Sequence, residues 1–181
     1  KGLFSKEIEA ALAAGEIAVF VRKLAIEMGG TQRGTVGRIE VAPNLVNVIA
    51  ERATLTVDLR NMDEALLRRA EAELAACLER LTKQEPLSIT TRSLGRFDVT
   101  PFAPEIVTLV ESAARELGYP SRRLPSGAGH DAQMMLRICP SGMIFVPSVG
   151  GLSHNVNEHT EPAHLKAGAD VLLNMVTRLA D

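Results

Sequence analysis

Residues 53–60 read ATLTVDLR, and their strict alternation decides how the first half of the chain is read. Leu55, Val57 and Leu59 fall on one face of an extended segment, Thr54, Thr56, Asp58 and Arg60 on the other. That period of two is the mark of a strand with one buried and one wet face. Upstream, TVGRIEV (35–41) predicts a second strand, with Gly37 as a bulge or a point of close backbone approach. Before it, residues 5–29 predict a helix. Ile17, Phe20, Val21, Leu24 and Met28 recur at helical spacing, Gly29-Gly30 stops the run, and Gly15 is a point at which it can divide. Downstream, a helix from Asp63 carries Leu67, Ala70, Leu74, Leu78 and Leu81 on one stripe, and LSITTRS (87–93) predicts a third strand. The order helix, strand, strand, helix, strand is the split-βαβ, ferredoxin-like pattern without its first strand, so the chain is expected to start inside a domain.

After GRFDVTPFAP the pattern changes. Residues 104–117 predict a helix with Ile106, Leu109, Val110, Ala113 and Leu117 on its apolar face, ended by Gly118 as the C′ residue. SGAGHDA (126–132) leads into a short helix through Met134, Met135 and Ile138. GMIFVP (142–147), a short continuous apolar run, predicts a strand buried on both faces. A final helix over 163–180 is expected to bury Leu165, Ala169, Leu172, Val176 and Leu179. This half has helices to cover a sheet but too few strands to make one, and it also reads as part of a domain. The expected division is 1–96 and 97–181.

Composition bounds the function. Of 181 residues 46% are hydrophobic and 23% charged, an ordinary globular balance with ample core. Aromatics at 3% leave no base-stacking surface, and a net charge of −2 with mixed signs leaves no footprint for nucleic acid or an anionic membrane. No apolar run approaches a membrane span of about 20 residues. Cys77 and Cys139 read as reduced thiols, which points to a cytoplasmic protein.

Four histidines, His130, His154, His159 and His164, all lie in the last third. The last three are five apart, which suits neither one helical face nor one strand face. A lone loop histidine is ordinarily a hydrogen-bonded structural residue. His154, however, follows a predicted strand and a Gly-Gly turn in GGLSHNVNEHT, at the carboxyl end of an α/β strand where ligands bind in this class. Glu158 or Glu161 is then placed to orient its ring by accepting a hydrogen bond from it. In SGAGHDA, the small residues before His130 allow a ligand near the backbone, or simply form a tight turn with Asp131 in the first helical turn. Asn47, in the loop before a strand, and Arg60, at that strand's end, have the chemistry of a carboxylate clamp, although a strand-end Arg is commonly just solvated.

Taken together, TVGRIEVAPNLVNVIAERATLTVDLRN, PSGAGHDAQMM, GMIFVPSVGGLSHNVNEHT and HLKAGADVLLNMVTRLA resemble the amidase/hydantoinase/carbamoylase family, which belongs with the aminoacylase-type metallopeptidases. The likeness runs over about residues 17 to 181; residues 1–16 fit poorly. It implies an α/β fold, in which 1–96 is part of a ferredoxin-like lid and dimerisation domain and 97–181 the C-terminal part of a metallopeptidase-like catalytic domain. It implies hydrolysis of ureido or amide C–N bonds in N-carbamoyl-L-amino acids or related ureido acids, and a homodimer formed through the lid. It implies two divalent metal ions, zinc or manganese, cobalt or nickel. His154 matches the family's last metal ligand. Asn47 and Arg60 match lid residues that hold the substrate carboxylate, often across the dimer. Gly129 matches a backbone position near that carboxylate, and His130 and Asp131 belong to the same signature.

The chain also departs from the pattern. The family's other ligands, its general-base glutamate and a lid histidine of a His-Ala-Gly motif lie in an N-terminal half, and no histidine here precedes His130. One ligand does not hold a catalytic ion that takes three or more protein groups. The expectation is a hydrolase as the complete protein and an inactive isolated chain. The alternatives are an aminoacylase or dipeptidase of the same clan, or a non-catalytic dimerisation or ligand-binding module.

Overall fold

The computed structural model describes residues 10–84 and 87–180. The chain forms two compact units, Lys1–Val99 and Thr100–Asp181. No helix among the described residues is long and apolar enough to cross a membrane.

The first unit runs α1 (Ala10–Met28), β1 (Arg33–Ala42), β2 (Arg52–Arg60), α2 (Glu64–Gln84). The two strands pair antiparallel, with Arg33 opposite Arg60 and Ala42 opposite Arg52. The register shifts between Val36 and Arg38, so Gly37 is a bulge. Leu55, Val57 and Leu59 pack with Val36 onto a core of Ile17, Val21, Cys77 and Leu81, while Thr35, Asp58 and Arg60 stand exposed on the other face. α1 continues unbroken through Gly15; residues 5–9 of the predicted helix lie outside the described residues. It lies close on β1 because Gly34 has no side chain: a Cβ there would sit 2.9 Å from Val21 Cγ1. On α2, Leu67, Ala70 and Leu81 are buried as their spacing requires, and Cys77 joins them.

The predicted third strand, 87–93, does not form. Ile89 packs against the core and exposure alternates over 87–90, but the backbone joins no ladder among the described residues. Alternating side chains satisfy a core without a paired backbone; a strand needs both.

The second unit contains α3 (Pro104–Glu116), α4 (Asp131–Met135), a single 3-10 turn at Val149–Gly151, and α5 (Pro162–Ala180). α3 ends in a Schellman arrangement. Gly118 has φ +74° and donates to Arg115 O, while Tyr119 N–H reaches back to Ala114 O. The core is Ala113, Ala114, Val171 and Met175, with Ile106, Leu109, Val110 and Ile144 packed on it. GMIFVP is not a strand here, since the second unit offers it no ladder partner among the described residues. It packs instead against α3 and α5: a Cβ on Gly142 would meet Ile106 Cγ2 at 2.8 Å, and one on Gly168 would meet Val146 Cγ1 at 2.7 Å.

The stripe expected on the last helix is also corrected. Val171 and Met175 are buried, whereas Leu165, Leu172 and Val176 are each 54% exposed. Leu179 and Ala169 are exposed as well. Leu165, Ala169 and Leu172 line an open apolar groove together with Gly168, Ile144 and Val146 and stay uncovered.

Candidate functional site

Arg60 is the last residue of β2. Its Nε donates to Asp58 Oδ1 at 2.9 Å and its Nη2 to Asp58 Oδ2 at 2.7 Å, a bidentate pair on the exposed sheet face. The pairing lowers the Asp58 carboxyl below its ordinary range, chiefly through the hydrogen bonds from Arg60, and raises Arg60 reciprocally. Beneath this strand end lies a buried polar network that sequence reading missed. Asn61 donates from Nδ2 to Gln32 Oε1, and its Oδ1 accepts from Thr31 Oγ1 and from Asp63 N–H. A polar residue directly after an alternating strand was the available signal, but nothing in the spacing paired it with Gln32.

Asn47 lies exposed in the turn between β1 and β2. It is therefore at the opposite end of the hairpin from Arg60. The nine residues of β2 (Arg52–Arg60) extend about 26 Å at roughly 3.3 Å per residue. The two side chains do not form one clamp within a single chain.

In the second unit, Gly129 is exposed, has open space where a Cβ would stand, and does not occupy the left-handed region. His130 is the N-cap of α4: its Nδ1 accepts from Ala132 N–H at 3.1 Å. With Nδ1 accepting, the neutral ring carries its proton on Nε2, a donor directed away from the cap. Asp131 follows in the first turn.

His154 is exposed in the loop after the 3-10 turn and adopts φ +55°, the left-handed region, unusual for a residue with a side chain. The loop is tied by its own backbone: Val149 N–H donates to His159 O at 2.8 Å, and Asn155 Oδ1 accepts from Asn157 N–H at 2.9 Å. Glu158 does not orient the imidazole as expected; its Oε2 accepts from the His154 backbone N–H at 2.9 Å. Glu161 lies beside His159, 3.8 Å from Nε2. Among the described residues no three His, Cys, Asp or Glu side chains stand close enough to hold a metal ion, so His154 supplies at most one ligand and these residues alone do not make a metal site.

The most strongly shifted carboxylate among the described residues is elsewhere and is structural. Glu64, at the start of α2, is held down to about 2 by hydrogen bonds from Arg96 and the Val99 backbone. Arg96 also pairs with Glu71 at 2.6 Å, which straps residues 96–99 onto the helix.

Comparison with known proteins fits these motifs into a wider frame. Residues 6–178 match the model of peptidase family M20/M25/M40. The chain is 36% identical over 174 residues to an N-carbamoyl-L-amino-acid amidohydrolase of Rhizobium meliloti, covering 96% of this chain and 42% of that protein. It is 37% identical over 148 residues to an allantoate amidohydrolase of Escherichia coli, covering 81% and 36% respectively. A crystal structure of an amidase of the hydantoinase/carbamoylase family from Burkholderia vietnamiensis superposes with a TM-score of 0.91 at 34% identity, over 96% of this chain and 42% of that one. The chain thus spans about two fifths of the length of such relatives.

Proposed function

Because the chain belongs to peptidase family M20/M25/M40, we propose that the complete protein carrying it is a metal-dependent hydrolase of the ureido or amide C–N bond in N-carbamoyl-L-amino acids or related ureido acids. The observation that carries this reading is the 36% identity across 96% of the chain to an N-carbamoyl-L-amino-acid amidohydrolase. In this reading the first unit belongs to a ferredoxin-like lid and the second to the catalytic domain.

The roles follow from the chemistry of each group. Arg60 holds the substrate carboxylate with its planar fork, as guanidinium–carboxylate geometry favours. Gly129 offers a backbone N–H with no side chain in the way, and His130 offers Nε2–H. His154 is one ligand of a two-ion centre of zinc, or of manganese, cobalt or nickel, whose remaining ligands and general-base glutamate lie outside this chain. When bound, such ions lower the pKa of a coordinated water enough to yield a nucleophile at neutral pH. The separation of Asn47 from Arg60 along β2 supports a homodimer through the lid, in which Asn47 serves the site of a second copy. The two free thiols accord with a cytoplasmic location.

The test is a substrate panel on the complete protein, with and without chelator. Release of amino acid from N-carbamoyl-L-amino acids or allantoate, lost on chelation and restored by a divalent ion, is expected. Turnover confined to N-acyl amino acids or dipeptides would instead establish an aminoacylase or dipeptidase. Absence of any turnover or bound metal would establish a binding module. The isolated chain is expected to be inactive, and chelator-sensitive turnover by it would overturn that part.

A further inference from the structure

We propose that Glu158 is a positioning residue: it holds the backbone of His154 in its left-handed conformation and so aims the imidazole. This rests on the reading of His154 as a metal ligand. Glu158 does not act through the ring. Its Oε2 accepts the His154 backbone N–H at 2.9 Å, and its own N–H donates to Asn155 O at 3.0 Å, so residue 158 both closes the turn and reaches back to its start.

The conformation needs a holder. At φ +55° a residue with a Cβ is crowded against its own backbone, and glycine is the usual occupant. The nearest relief is a flip of the Ser153–His154 peptide, which carries φ of His154 into the broad β region and turns its N–H the other way. An acceptor on that N–H opposes the flip directly. The neighbouring bonds do not replace it. Ser148 Oγ donates to Leu152 O, Asn157 N–H to Asn155 Oδ1 and Val149 N–H to His159 O. These fix the chain on either side and leave the Ser153–His154 peptide to Glu158. The imidazole makes no hydrogen bond of its own among the described residues, so its reach is set from the Cα–Cβ bond outward. A metal–nitrogen bond of about 2.0–2.1 Å tolerates little error in where that bond starts.

The experiment loads the metal-free complete protein with Co2+ for wild type, Glu158→Ala, Glu158→Met, Glu158→Gln and His154→Ala. It records the apparent Kd, the d–d absorption of the bound ion and the melting temperature before loading. Two variants remove the acceptor so that misfolding of one leaves the other, and Glu158→Gln keeps an acceptor of the same reach without the charge. The expected result is Co2+ bound about ten-fold more weakly by Glu158→Ala and Glu158→Met, with the absorption displaced toward that of His154→Ala. Glu158→Gln keeps the wild-type absorption and most of the affinity, and the metal-free melting temperatures stay together. If His154→Ala loses Co2+ while Glu158→Ala and Glu158→Met bind it as wild type does, Glu158 positions nothing and this inference fails alone. If His154→Ala binds Co2+ unchanged, the ligand reading of His154 fails and takes this one with it. An equal loss in Glu158→Gln, or a loss that tracks a lower metal-free melting temperature, would show charge or a general loosening of the loop and also overturn it.

Discussion

Asn61 Nδ2 donates to Gln32 Oε1 at 2.9 Å, joining the residue after β2 to the residue before β1. Both side chains are withdrawn from water, at 6% and 2% exposure, and further hydrogen bonds from Thr31, Asp63 N–H and to Arg33 O complete the network. This closes the open end of the hairpin on which Arg60 stands.

Asn61→Ala leaves Gln32 buried and short of a partner, and is expected to lower unfolding free energy by about 1–3 kcal/mol. Gln32→Leu combined with Asn61→Leu should cost less than the two single changes summed, because neither buried amide is then left without the other. Urea denaturation of wild type and the four variants measures both quantities.

The strap on α2 makes a prediction in acid. Glu64 is lowered from 4.5 to about 2 by Arg96 and the Val99 N–H. A carboxylate lowered on folding contributes stability above its unfolded value and loses it as pH falls through the folded value. The contribution should therefore be complete above about pH 4.5 and vanish between there and about pH 2. Glu64→Gln should flatten thermal stability over that window relative to wild type, and parallel melting curves from pH 6 to 2 would contradict it.

Gly168→Ala puts a methyl group 2.7 Å from Val146 Cγ1. Separating α5 from the 142–147 segment to admit it should cost about 1–3 kcal/mol. Ala at position 15, where nothing lies within 4 Å, should instead stabilise α1 by about 0.5–1 kcal/mol. Thermal melts of the two variants should move in opposite directions.

His154 separates stability from function. Its φ of +55° is easier for glycine, so His154→Gly should leave the fold as stable or stabilise it by up to about 1 kcal/mol. In the complete protein the same change should lower bound metal and activity at least about ten-fold. Metal content by atomic emission, measured beside the melting temperature, checks both signs in one sample.

Much of this was legible along the chain. Alternation in 53–60 located β2 and its buried face, the glycine at 37 located the bulge, and helical spacing with Gly118 located α3 and its end. These are local matters, fixed by the period of side chains and the sterics of one backbone position. The site was legible only as motifs. Residue chemistry and the family resemblance, not spacing, marked Arg60, His130 and His154, and no period reveals that Arg60 is gripped by Asp58, that His130 caps its own helix, or that Glu158 binds a backbone amide.

What the sequence determined by itself, then, was the element pattern of each half and a set of motifs specific enough to resemble one family. Tertiary structure decided that Val171 and Met175 are the buried residues of α5, since helical spacing marks apolar positions but not which of them a neighbour covers. It decided that 87–93 and 142–147 join no ladder among the described residues, because a strand is made by its hydrogen-bonded neighbour and not by its own hydrophobicity. And it decided that Asn47 and Arg60 stand at opposite ends of one hairpin, a separation set by strand rise that residue type alone does not carry.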